Sequence, residues 1–397
     1  MAMIPICDGR QISSTYHDVS HSNDSCLYKN TDSDITVPVL NRSRRSPNVI
    51  RPCYYILQIL GMWKPMNGKF ESLWRVYRGF IFLVLLPVCL AAIMCLDFVH
   101  NGFTKKSVDV REIMNNACTC LDFLCPFVFT VYYFHKGQFV EVVTCVQNVS
   151  EEWCQKLRRI ARWYSLMSVL LWGLCILYLI MHWFPFFSKP WHYAVYVPVI
   201  VYIAGWWGTW LTIYGFVCHV HSLQIDVVIQ PEMKSAELNA TTIFKKFSQL
   251  QTSLEETQKD FNVIISLALA YHTVDLIVFS FAYLSSAFGS DYPLWQFVGT
   301  VLFDLTTLIF KLYPPAIVAA AVHRIVVQAC KRCRESLVTT DLPLEDMQLF
   351  QYMVLCEPDM GLKILGIRIT VELSMKILMA IFTAAISFVS FVLVRLK

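Results

Sequence analysis

The chain has 397 residues, of which 56% are hydrophobic and only 16% charged, with a net charge of +4 and a mean hydropathy of +0.49. Soluble domains carry about 25% charged residues, so this composition excludes an ordinary soluble globular protein and makes membrane insertion the first explanation. The fifteen cysteines are scattered, several of them inside apolar runs, which is not the pattern of a secreted disulfide scaffold.

Residues 1–48 are polar and rich in Ser, Asn and Asp, a composition that cannot bury enough surface to fold alone and reads as a flexible tail. The opening MAMIPICDGRQ lacks a basic leader and an apolar core, so no cleaved signal is expected. A short amphipathic segment, Tyr54 to Met62, precedes a domain expected to run over 49–397. Seven apolar stretches are predicted to span a membrane, at about 77–99, 114–134, 163–183, 195–220, 261–281, 294–321 and 372–394. Pro314-Pro315 is expected to kink the sixth near its end.

The stretches after spans two, four and six are long and read as helices. Phe247, Leu250, Leu254 and Phe261 fall on one helical face, with Glu255, Glu256 and Lys259 elsewhere. Ile325 to Leu337 and Leu344 to Leu355 show similar patterns, so helices four to six are expected to project beyond the bilayer into a common bundle. These long connections hold five, four and six Lys and Arg; the short ones hold three, one and none. The positive-inside rule then puts the long connections, and the N-terminus, in the cytoplasm and the C-terminus outside. The glycosylation triplets at Asn23, Asn41, Asn148 and Asn239 would all be cytoplasmic and unused in that topology.

Span seven has eighteen uncharged residues from Ile377 to Val394. Thr383, Ser387 and Ser390 recur at spacings of four and three and so share a face, largely opposite Leu378, Ile381, Phe388 and Val392. Such a stripe suits close packing of helices or a water-lined path. Ionisable residues inside spans are costly and therefore informative. His272 and Asp275 lie in span five. Asp304 and Lys311 lie seven residues apart on one face of span six. They face an aqueous path, pair with each other, or bond one helix to the next. Aromatics crowd the outer halves, and Trp206, Trp207 and Trp210 lie too deep for an interfacial belt. A pocket for a small apolar ligand is the alternative, with Phe123, Tyr178, Tyr202, Trp206, Trp210 and Phe297 as its candidates.

The sequence carries no catalytic signature, and no enzyme or cofactor is expected. The CKRC pair, Cys330 and Cys333, supplies half a zinc site at most, even with Cys356 and His323, so no metal is expected. Nucleic acid is not an expected partner, because topology accounts for the basic residues.

Together the all-α, seven-span architecture, the inside N-terminus, the long helical connections and the short C-terminus resemble the insect odorant and gustatory receptor superfamily. The local signature lies at the end of the chain. Gly366-Ile367-Arg368-Ile369-Thr370 is similar to the glycine-containing approach of the gustatory branch. Thr383 to Phe391 is similar to its T-Y-(five apolar)-Q-F pattern. Thr383 and Phe391 match. Ala384 stands where Tyr is usual, Ser390 where Gln is usual, and Ser387 interrupts the apolar five, so the resemblance is to a divergent member.

The resemblance implies a multi-pass plasma-membrane protein, a homo- or heterotetrameric, ligand-gated, poorly selective cation channel for sensory transduction. Ala380, Thr383, Ser387, Ser390, Phe391 and Val394 would line a central pore, and the cytoplasmic helices would form an anchor where subunits meet. A small molecule would enter a pocket in the outer half, and lipid would surround the rest. Two rivals differ in kind. A G-protein-coupled receptor needs the opposite topology, and the Asp-Arg-Tyr and Asn-Pro-x-x-Tyr motifs are missing. A transporter would use His272, Asp275, Asp304 and Lys311, but no internal repeat supports paired halves.

Overall fold

The computed structural model describes residues 55–56, 58–60, 71–92, 151–183, 189–234, 239–286, 294–339 and 344–395. The whole of span two, with Phe123, lies outside them, as do the polar tail and the sequons Asn23, Asn41 and Asn148.

The first helix, α1, begins at Glu71–Phe80, widens into a π-helical turn at Ile81–Leu85, and continues to Ala92. The Tyr77 hydroxyl donates to the carbonyl of Ile59, tying α1 to the short turn before it. Then come α2 (Glu151–Trp183), α3 (Pro190–Lys234), α4 (Ala240–Ser286), α5 (Leu294–Thr339) and α6 (Leu344–Cys356). A hairpin of two short strands, β1 (Lys363–Ile364) and β2 (Ile367–Arg368), leads into α7 (Val371–Arg395).

The described residues are almost entirely helical. Among them, α1, α2, α3 and α5 are long and apolar enough to cross a membrane. They hold spans one, three, four and six of the sequence reading. Spans five and seven fall on α4 and α7. At 45 to 47 residues, α3, α4 and α5 are each about 70 Å long, more than twice a hydrocarbon core of roughly 30 Å. The long connections are therefore continuations of the helices rather than loops. The basic residues Lys156, Arg158, Arg159 and Arg162, expected in a connection, lie on the first turns of α2. Pro314 and Pro315 fall in the middle of α5, not near its end, because the helix continues well beyond the apolar stretch.

Local chemistry sets the helix starts. Pro190 opens α3, where its fixed φ suits a first turn and no N–H is needed. Asn239 caps α4: its Oδ1 accepts from the Thr242 N–H at 2.9 Å. This sequon asparagine thus has a structural task. Thr370 caps α7, its Oγ1 accepting from the Leu373 N–H at 3.2 Å.

The core centres on α3, which carries two working faces. Its glycine face meets α2. A Cβ at Gly205 would sit 2.8 Å from the Trp172 indole, and one at Gly215 would sit 2.7 Å from the Tyr164 ring. The bare backbone at Gly205 lets the Trp172 Nε1–H reach the Val201 carbonyl at 2.7 Å. Ser168 and Thr209 hydroxyls lie 3.2 Å apart in the same seam. The opposite face meets α4 and α5, through Tyr214 against Phe261 at 5.3 Å and Trp207 against Phe303 at 4.9 Å. Further along, His221 Nε2 and the Thr257 hydroxyl hydrogen-bond at 2.8 Å. Asp226 pairs with Arg324 at 3.3 Å, and Arg332 donates to the Met233 carbonyl. The amphipathic stripe expected on α4 is buried at Phe247, Leu250, Leu254 and Phe261, with Glu255, Glu256 and Lys259 exposed. α6 covers part of it through Tyr352, which packs on Phe244 and donates to Gln251.

Candidate functional site

Among the described residues, α7 meets α5 along one side. The Ser374 hydroxyl is buried and donates to the Leu312 carbonyl of α5 at 3.3 Å. Leu373, Ile377 and Leu378 pack against the core on that side. Ala380, Thr383, Ser387, Ser390, Phe391 and Val394 are all exposed. On a helix of 3.6 residues per turn, Thr383, Ser387 and Ser390 lie opposite Ser374 and Leu378. A hydroxyl-bearing stripe therefore points away from the side on which α7 meets α5.

The approach to α7 is a built joint. At its tip Leu365 and Gly366 both have positive φ, 52° and 79°. That is the geometry of a tight two-residue hairpin turn, where leucine is strained. Gln258 of α4 clasps β1 by both ends of its amide. Its Oε1 accepts from the Lys363 N–H at 2.6 Å, and its Nε2 donates to the Lys363 carbonyl. The Leu365 N–H donates to Ser266 Oγ at 3.1 Å. On the other strand Arg368 donates to the Ala319 carbonyl of α5 and lies 3.8 Å from Glu357. Burial draws the Arg368 guanidinium below its ordinary pKa, partly offset by Glu357 and Asp359. Glu357 also binds His323 at 2.8 Å, so His323 has a carboxylate partner rather than joining the cysteines. Met360, Leu362, Ile364 and Ile369 are buried under the joint.

Of the predicted pocket residues, Tyr178 stacks on Phe303 at 4.0 Å, and Phe303 also meets Trp207. Tyr202 meets Trp206 at 6.0 Å, whereas Trp210 stacks on Tyr214 at 6.3 Å. The candidates thus divide among three aromatic groups around α3. Trp206 and Trp210 are deeply buried, and the Trp210 Nε1–H finds no hydrogen-bond acceptor among the described residues. Phe297 lies on α5, but its side chain is outside the description, as are those of His272 and Asp275 on α4.

Asp304 and Lys311 are buried. The Lys311 ammonium donates to the Ala268 carbonyl of α4 at 3.1 Å, so it bonds one helix to the next. Three features had weak signals or none. Gly205, Gly208 and Gly215 follow a small-residue spacing that marks close helix contact. Phe303 and Gln258 are ordinary residues whose partners lie far along the chain.

The structure of the insect olfactory receptor OR5 from Machilis hrabei in complex with eugenol matches 87% of this chain and 97% of its own, at a TM-score of 0.52 and 11% identity. The chain has an insect odorant/gustatory receptor-like fold. A second structure of that receptor matches over 88% of this chain and 97% of its own, at a TM-score of 0.49 and 12% identity. No sequence-family model and no curated relative matches. In this receptor-like fold the joint and α7 form the last part of the chain, and α3 is surrounded by other helices.

Proposed function

We propose that the chain is a subunit of a chemoreceptor-like, ligand-gated, poorly selective cation channel in the plasma membrane. The observation that carries the reading is α7. It is a 25-residue apolar helix held along one side, with a stripe of hydroxyls on the other. The receptor-like fold supports it. In a homo- or heterotetramer, Ala380, Thr383, Ser387 and Ser390 would line the pore, and their hydroxyls would replace part of an ion's hydration. Phe391 and Val394 would form an apolar constriction. The continuations of α3 to α5, with α6, would form the cytoplasmic anchor, and the C-terminus would lie outside.

A small apolar molecule would bind among the outer aromatic groups, Phe123, Tyr178, Tyr202, Trp206, Trp210 and Phe297. The buried donor of Trp210 supports this, because a ligand acceptor would relieve an unpaired N–H. Occupation shifts a closed–open equilibrium by its differential affinity for the two states. The Lys311 bond to Ala268 favours a structural role over transport for that buried lysine. The reading is tested by Ser387→Phe, which is expected to abolish or reshape ligand-evoked current while surface delivery is retained. Unchanged conductance would remove α7 from the pore.

A further inference from the structure

One face of α2 changes its chemistry between two adjacent residues. Leu157, Ala161, Tyr164, Ser168, Leu171 and Cys175 are buried and form one stripe. The opposite stripe is exposed. From Trp163 onward it is apolar, with Leu166, Leu170, Leu174 and Leu177 all exposed. One turn earlier the same stripe carries Arg159 and Arg162, both exposed. A helix face that is apolar for about 20 residues and then abruptly cationic, with Trp at the change, marks a hydrocarbon–headgroup boundary.

The two arginines differ from the other base on that face. Lys156 is engaged by Glu152 at 2.9 Å and lies 4.1 Å from the Trp153 ring centroid. Arg159 and Arg162 make no ion pair or hydrogen bond among the described residues. Three residues apart on a helix, their side chains start about 5–6 Å from each other. Two guanidinium forks at that spacing bracket one phosphate-bearing headgroup, which arginine binds in bidentate fashion.

We propose that Arg159 and Arg162 form a binding site for an anionic phospholipid of the adjoining leaflet, its acyl chains lying along the Trp163–Leu177 stripe. The inference rests on the reading of α2 as a membrane span. A choline headgroup brings its own cation to the same place and is disfavoured. Each basic side chain at such a surface contributes roughly fivefold to the partitioning of anionic lipid.

The test reconstitutes the full chain into vesicles of mixed phosphatidylcholine and phosphatidylserine, re-extracts it in mild detergent, and counts the co-purified lipids by mass spectrometry. Phosphatidylserine is expected above its share in the vesicle. The double variant Arg159→Gln, Arg162→Gln is expected to lose roughly tenfold or more of that enrichment, and Arg159→Lys, Arg162→Lys to keep most of it. Soluble glycerophosphoserine in excess is expected to leave the ratio unchanged, since it lacks acyl chains. Enrichment equal in the glutamine variant, or absent from the wild type, overturns the site. Displacement by the soluble headgroup overturns the lipid as its occupant. Release of the chain by alkaline carbonate would overturn the membrane reading and the site together, whereas a carbonate-resistant chain without enrichment overturns the site alone.

Discussion

α3 and α7 are both apolar helices, yet the chain treats them differently. α3 is enclosed: glycines let α2 approach its backbone, while aromatics and hydrogen bonds hold α4 and α5 on the far side. α7 is held by α5 along one side and reached through a joint clasped by α4. The first is completed by its own chain. The second carries its hydroxyl stripe on its exposed side.

Substitutions at the two helices should therefore have opposite signatures. The largest effect is expected at Gly215→Leu, which drives a side chain into the Tyr164 ring. Overpacking of this kind costs about 1–3 kcal/mol or more. It should lower the melting temperature in detergent and reduce surface delivery. A normal melting temperature would mean that the α2–α3 seam is looser than its distances.

Gln258→Ala comes next. It leaves both polar groups of Lys363 without their clasp, at a cost of about 1–3 kcal/mol. Hydrogen exchange should quicken in the hairpin and the first turn of α7, and stay unchanged in α3. Exchange that quickens equally in both helices would erase the distinction between them.

Leu365→Asn should act in the other direction, by up to about 1 kcal/mol, because asparagine tolerates positive φ and the leucine is exposed. A lower melting temperature would show that Leu365 has a packing partner. Smallest of all is Thr383→Val, expected to change the stability of the isolated subunit by less than about 0.5 kcal/mol. It should nevertheless alter unit conductance. A large loss of stability would assign Thr383 to a packing interface.

The sequence made the helices legible because hydropathy and the 3.6-residue period act locally. Phe247, Leu250 and Leu254 could be placed on one face without knowledge of their partner. The lengths of α3 to α5 were half legible: apolar runs mark the bilayer, and amphipathic stretches continue them. The joint was not legible as a structure. Gly366 and Thr370 drew notice only through a family resemblance, and a leucine at positive φ contradicts the usual turn chemistry. Aromatic partners were out of reach for a different reason. Tyr178 and Phe303 stack across more than a hundred residues, and no local pattern records that pairing.

One feature of the fold reaches beyond statics. Because α4 runs for about 70 Å with no proline inside it, it is a lever rather than a string of segments. A tilt of about 5° near one end displaces the other by about 6 Å, a full helical turn's rise, with no hydrogen bond broken on the way. The joint that feeds α7 is fastened to this lever through Gln258 and Ser266, and to α5 through Ala319. Gln258 and Ser266 lie near the middle of that helix, so the hairpin at the base of α7 would follow roughly half of the displacement.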